Sequence, residues 1–217
     1  LLIPDLPGYG RNQGAGVISL PAAVDHVRAE ILAAGFDSAH IVGHSVGGAV
    51  AVLLAHRYPE LVRSVIDVEG NFTLKDAFWS GKMAGMSAAE AEAMIESYRA
   101  DPGAWLAGSG IEPTAERIAI ASQGLGAQPA STVQAMARSV VEITANPRYL
   151  DDVRQVLDRG TAFHLVAGER SRHGWDVPAF VSARASSMTI QPSVGHLMML
   201  ENAPDFFGIV SGLLPVA

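Results

Sequence analysis

The ten residues Ala39-His40-Ile41-Val42-Gly43-His44-Ser45-Val46-Gly47-Gly48 decide the fold of this chain. Ala39 to Val42 is a short apolar run with β-branched residues, and it ends at Gly43, which predicts a buried strand. From Val46 to Tyr58 the residues are small or aliphatic helix formers, closed by Pro59, which predicts a helix. Between them lies G-x-S-x-G, with Ser45 on a tight strand-to-helix turn. Glycines on either side of such a turn let neighbouring backbone approach, and the turn lifts the serine hydroxyl above the strand's C-terminal end. The helix behind it aims N–H groups and the positive end of its dipole at any negative charge developing there. Ser45 is therefore the candidate nucleophile, and the Val46 N–H is the expected first donor to an oxyanion.

The same alternation extends in both directions. Leu1 to Ile3 is an apolar run closed by Pro and Gly, read as the end of a strand. Ser19 is placed to cap a helix whose apolar positions Val24, Val27, Ile31 and Leu32 recur at helical spacing and which Gly35 stops. Val62 to Val68 reads as a further strand, ending at Glu69-Gly70. Strand, helix, strand, helix, strand without polar alternation predicts parallel strands covered by helices on both faces. From Asn71 to about Pro147 no good strand is found. Helical patches recur instead at Ala88 to Tyr98, Thr114 to Ser122 and Ser131 to Thr144, too long a stretch for a loop. The alternation then resumes with a helix at Tyr149 to Asp158, strands at Thr161 to Ala167 and Ser187 to Ile190, and a final helix from Pro204 to Leu214. The expected organisation is an α/β core formed by 1–70 and 148–217, carrying a helical insertion over 71–147.

Composition narrows the function classes. The chain has 217 residues, 49% of them hydrophobic and only 17% charged, which suits a packed core and argues against disorder. Its formal net charge is −7 with no basic cluster, so nucleic acid is not an expected partner. No apolar run approaches the ~20 residues that span a bilayer, so no membrane association is expected. Without cysteine there are no disulfides, thiolate nucleophiles or cysteine–metal sites. That fits a reducing compartment, and a cytoplasmic location is expected. The chain starts at Leu1 directly in a strand-like run, so its true N-terminus is expected to lie upstream.

A serine hydroxyl needs a base whose pKa lies near the working pH. Gly195-His196 follows the last predicted strand, on the edge of the sheet to which all parallel strands point their C-terminal ends. His196 is the candidate base. His26, His40, His56, His164 and His173 lack such a context and read as structural or solvated, whereas His44, beside the serine, reads as shaping the turn.

Together these segments resemble the α/β-hydrolase superfamily, in particular its cap-bearing serine hydrolases and esterases. Asp5-Leu6-Pro7-Gly8-Tyr9-Gly10 resembles the D-x-P-G-x-G turn of that family, with Asn12 where Ser is usual. Gly43 to Gly47 resembles its nucleophile elbow, and Gly195-His196 with Glu201-Asn202-Ala203-Pro204 its "GH…ENP" segment. The resemblance implies three earlier strands and an "HG" loop with a second oxyanion donor, none of which this sequence contains. It also implies a third triad member, usually an Asp in a G-x-x-D turn after the seventh strand. The matching turn is Gly168-Glu169-Arg170-Ser171, so Ser171 stands in the acid's position. Some relatives place the acid one strand earlier, where this chain has Glu69. Glu69 is therefore the expected acid, with Glu169 and Asp176 as rivals and a cap-anchoring carboxylate as its plainer role.

By resemblance the chain hydrolyses carboxylic esters of small to medium apolar acyl groups through an acyl-enzyme, with no metal or organic cofactor. Phe72, Phe78, Trp79, Met83, Met86, Met94 and Trp105, with Met198 or Met199, are candidates for the acyl pocket, although most would equally form the insertion's own core. Hydrolysis of C–C bonds, lactones or amides on the same triad, or ligand sensing in a retained hydrolase pocket, are the alternatives.

Overall fold

The computed structural model describes residues 1–14 and 16–214. Helix α1 (Leu20–Ala33) starts at Ser19, whose Oγ accepts the Ala22 N–H at 3.2 Å. Strand β1 (Ala39–His44) leads through Ser45 into α2 (Val46–Arg57), and β2 (Val62–Val68) follows. Five helices come next: α3 (Phe78–Gly85), α4 (Ala88–Ala100), α5 (Pro102–Gly108), α6 (Ala115–Gly126) and α7 (Ala130–Ala145). After them come α8 (Pro147–Asp158), β3 (Ala162–Gly168), α9 (Ala179–Arg184), β4 (Ser187–Gln191), α10 (Met198–Glu201) and α11 (Ala203–Leu213).

The four strands form one parallel sheet in the order β1-β2-β3-β4. Successive side chains of a strand point to opposite faces, and the two faces have separate cores. Val65, Phe163 and Leu165 pack with α1, α2 and α8 on one side. Ile66, Val68 and Val166 pack on the other side with Met198 and Phe206, from α10 and α11. Strand β2 is covered on both faces, so from Ser64 to Val68 it is buried throughout, with apolar Val65, Ile66 and Val68 beside the buried polar Ser64 and Asp67.

The segment between β2 and β3 has cores of its own. Met83, Ala91, Ile95, Val133 and Ala137 join α3, α4 and α7; Leu106, Ile111 and Ala121 join α5 and α6. Helix α7 serves two cores, since its Met136 and Val140 belong to the sheet's cluster.

Several elements depart from the sequence expectation. Leu1 to Ile3 is not a strand: Leu1 and Ile3 are well exposed, and this run has no place in the sheet. Apolar residues alone do not make a strand without a neighbour to satisfy the backbone. Helices α3 and α5 were not foreseen, being only 8 and 7 residues long with internal glycines that blur helical spacing.

Candidate active site

The C-terminal ends of the strands converge through a staircase of backbone hydrogen bonds. Ser45 N–H donates to Val68 O at 3.0 Å, Glu69 N–H to Val166 O at 3.1 Å, and Glu169 N–H to Gln191 O at 2.9 Å. Each is the first residue past its strand and is held by the next strand in the sheet. Three non-glycine residues among those described have positive φ: Ser45 (53°), Glu69 (45°) and Ser193 (62°). Such backbone costs about 1–3 kcal/mol per residue and persists only where its surroundings hold it. Ser45 and Glu69 therefore sit in turns that aim their side chains rather than in relaxed loops.

Packing explains the elbow's glycines, with one adjustment. A Cβ on Gly43 would collide with the backbone of Gly47, and one on Gly48 would lie 2.5 Å from Gly70 Cα. A Cβ on Gly47 would meet nothing within 4 Å. Close approach thus demands glycine at 43 and 48, whereas Gly47 borders open space.

His196 is brought against Glu69 and His44. Its Nδ1 lies 2.6 Å from Glu69 Oε2. Its ring packs on that of His44 with centroids 4.5 Å apart, and His44 Nε2 donates to the His196 carbonyl at 2.9 Å. A carbonyl only accepts, so His44 carries its proton on Nε2. Burial and the neighbouring His196 push His44 down to about 3, which keeps it a neutral brace. Among the described residues no hydrogen bond joins Ser45 Oγ to His196; such contacts are often long before a substrate is seated.

The Glu69 carboxylate is buried and accepts three hydrogen bonds. Oε2 faces His196, while Oε1 takes the Gly168 N–H at 2.9 Å and the Ser171 hydroxyl at 2.6 Å. Burial alone would raise its pKa, but the bonds from His196 and Ser171 outweigh that and hold the carboxyl below its ordinary value. The rival acids are engaged elsewhere. Glu169 accepts the Ser193 N–H at 2.8 Å. Asp176 accepts the Thr73 hydroxyl at 2.8 Å and lies 3.5 Å from Lys75 Nζ.

The loop carrying His196 is braced from behind. Glu201 accepts the Gly195 N–H at 2.6 Å and pairs with Arg170 at 2.5 Å, and Arg170 reaches Ser193 O and Gly110 O. Arg117 donates to Leu200 O and Glu201 O. Sequence reading had not assigned Ser171, Arg170 or Arg117 to the site, because their partners are distant in the chain.

Beside the elbow lies a cavity of about 440 Å³. It is lined by Leu6, Tyr9 and Gly10, by Val46 and Gly47 of the elbow, by Trp79 and Ser80 of α3, and by Val133, Met136 and Ala137 of α7. The Tyr9 phenol is pushed up to about 12 by burial and stays neutral. Of the aromatic and methionine side chains considered for a pocket, Trp79 lines this cavity. Phe72 is buried against Phe163 and Trp175, Met83 and Met198 are fully buried in clusters, and Phe78 is exposed. Among the described residues no group of three or more His, Asp or Glu side chains is arranged to hold a metal ion, and no helix is long and apolar enough to cross a membrane.

The fold and these motifs are shared with known proteins. Pimeloyl-[acyl-carrier protein] methyl ester esterase of Citrobacter koseri is 39% identical over 83 residues, covering 37% of this chain and 30% of that protein. The match thus spans less than a third of the length of the curated relatives. Among solved structures, a carboxylesterase of the ammonia-oxidizing thaumarchaeon Nitrososphaera gargenis superposes with a TM-score of 0.70 at 16% identity, over 95% of this chain and 76% of that one. A thermophilic esterase from Thermogutta terrifontis gives 0.66 at 20% identity, over 96% and 77%. At such identities the likeness is one of fold. Residues 1–115 match the family model for the alpha/beta hydrolase fold, and with the parallel sheet and the elbow this places the chain in the α/β-hydrolase family.

Proposed function

We propose that the chain is a serine hydrolase cleaving carboxylic esters of small to medium apolar acyl groups, with Ser45, His196 and Glu69 as its triad. The observation that carries this is the contact of Glu69 with His196 Nδ1 at 2.6 Å, beside a serine held at φ 53°. A neutral imidazole donating through Nδ1 to a carboxylate keeps its Nε2 lone pair free. His196 Nε2 takes the Ser45 proton as Oγ attacks the ester carbonyl, and Glu69 stabilises the imidazolium that forms. Val46 is the first residue of α2, so its N–H has no acceptor within the helix and is available to the oxyanion. His196 returns its proton to the leaving alcohol, then activates the water that releases the acid.

In this reading 71–147 is a cap over a core of 1–70 and 148–217, its α3, α6 and α7 contributing to the cavity wall. The mostly apolar lining of Leu6, Trp79, Val133 and Met136 suits an acyl chain, and the cytoplasm is the proposed location. The test is turnover of p-nitrophenyl esters of increasing acyl length. Ser45→Ala is expected to abolish turnover and Glu69→Gln to lower kcat by about 10²–10⁴-fold, while Asp176→Asn leaves it near wild type. Unchanged turnover in Ser45→Ala would overturn the mechanism; loss in Asp176→Asn with none in Glu69→Gln would reassign the acid.

A further inference from the structure

Ser171 stands in the turn after β3 where a carboxylate is usual in this fold, yet it remains part of the site. Its hydroxyl proton has two acceptors in reach, Glu69 Oε1 at 2.6 Å and Gly168 O at 3.4 Å. The shorter bond, to an ionised carboxylate, is the stronger. The turn is fixed independently of that side chain. Ser171 N–H donates to Gly168 O at 3.2 Å, and Arg170 N–H donates to Val194 O at 2.9 Å. A Cβ on Gly168 would lie 2.5 Å from Gly195 O, so β3's exit lies directly on the loop that carries His196. Glu69 needs such support: its backbone is left-handed, its side chain is buried, and a glutamate has three torsions to fix. With Gly168 N–H and Ser171 O–H both on Oε1, the carboxylate plane is set and Oε2 is left to His196.

We infer that Ser171 is a positioning residue of the catalytic machinery, its hydroxyl orienting the Glu69 carboxylate against His196. The inference rests on the proposed triad and adds to it a fourth side chain from a different strand. Ser171 touches neither the serine nor a substrate and acts only through Glu69.

The experiment compares Ser171→Ala, Ser171→Thr and Ser45→Ala in the same chain. Ser171→Ala should lower kcat about tenfold, the size of effect a lost hydrogen bond to a charged group carries, with KM unchanged. The acidic limb of its pH–rate profile should move to higher pH, because a carboxylate deprived of this competing donor holds the proton it shares with His196 more strongly. Ser171→Thr, which keeps a hydroxyl, should restore both. In parallel, the downfield proton resonance of the His196 Nδ1–H shared with Glu69 should shift or broaden in Ser171→Ala and return in Ser171→Thr, a readout that needs no turnover. A wild-type resonance and pH profile in Ser171→Ala would overturn the inference, as would equal losses in the alanine and threonine variants. Turnover surviving in Ser45→Ala would instead count against the triad, so the two failures are told apart.

Discussion

At the scale of single residues, the site is a balance of buried carboxylates with opposite tendencies. Glu69 is held ionised by its donors, whereas Asp67, two residues earlier and fully buried, is pushed up to about 7, mainly by burial and against the Gly70 N–H it accepts at 2.6 Å. A carboxyl whose pKa is raised by folding binds its proton more tightly folded than unfolded. Its favourable contribution is present below the ordinary value of 3.8 and is lost as pH climbs towards about 7, an effect on the order of a few kcal/mol at most. Asp67→Asn should therefore flatten the fall in Tm between pH 4 and 7, since asparagine still accepts from Gly70. Parallel curves for the two proteins would assign that fall to other groups. Ser45 and His196 could be singled out as candidates in the sequence because their signals are local: a serine between glycines at a strand–helix junction and a histidine after the last strand. Glu69 was legible by position as the exit residue of β2. The Ser171–Glu69 bond was not, because it joins residues 102 apart that meet only when β3 docks beside β2.

At the scale of elements, helix α7 does more than its sequence announced. The sequence predicted a helix there, but not that one side would join the sheet's core and another the cluster with α3 and α4. Gln134, buried on α7, donates through Nε2 to Met86 O at 2.7 Å and Met83 O at 3.3 Å, tying down the end of α3. Removing it leaves buried carbonyls without that donor, a loss of about 1–3 kcal/mol. Gln134→Leu is expected to raise amide hydrogen exchange across Phe78–Gly85 and to raise KM for longer acyl esters, because Trp79 and Ser80 of α3 line the cavity. Exchange unchanged in α3 would show that other contacts anchor it. The longer α4 was legible as a helical patch over Ala88 to Tyr98, and the structure adds a capping box of Ser87 and Glu90 at its start. The short α3 and α5 owe their shape to the surfaces they lie on, which no local window contains.

At the scale of the whole molecule, the parallel sheet followed from the alternation of apolar runs, whereas which strands lie at its edges had to come from the structure. Strand β1 is at one edge, paired to β2 alone among the described strands, and Val42 on it is 44% exposed. An edge with apolar side chains is a template for pairing with another chain. Val42→Lys in the 217-residue chain should lower concentration-dependent light scattering with the circular dichroism spectrum unchanged. Equal scattering from both proteins would place self-association elsewhere.

The contact between Ser171 and Glu69 has a bearing on how such sites change over time. Two turns on adjacent strands hold side chains whose oxygens lie 2.6 Å apart, and both face the same imidazole loop. A carboxylate carried by either turn would therefore lie within reach of the same loop, with His196 and Ser45 unmoved. In three dimensions the two turns are one neighbourhood, and the hydroxyl at 171 lies against the carboxylate at 69.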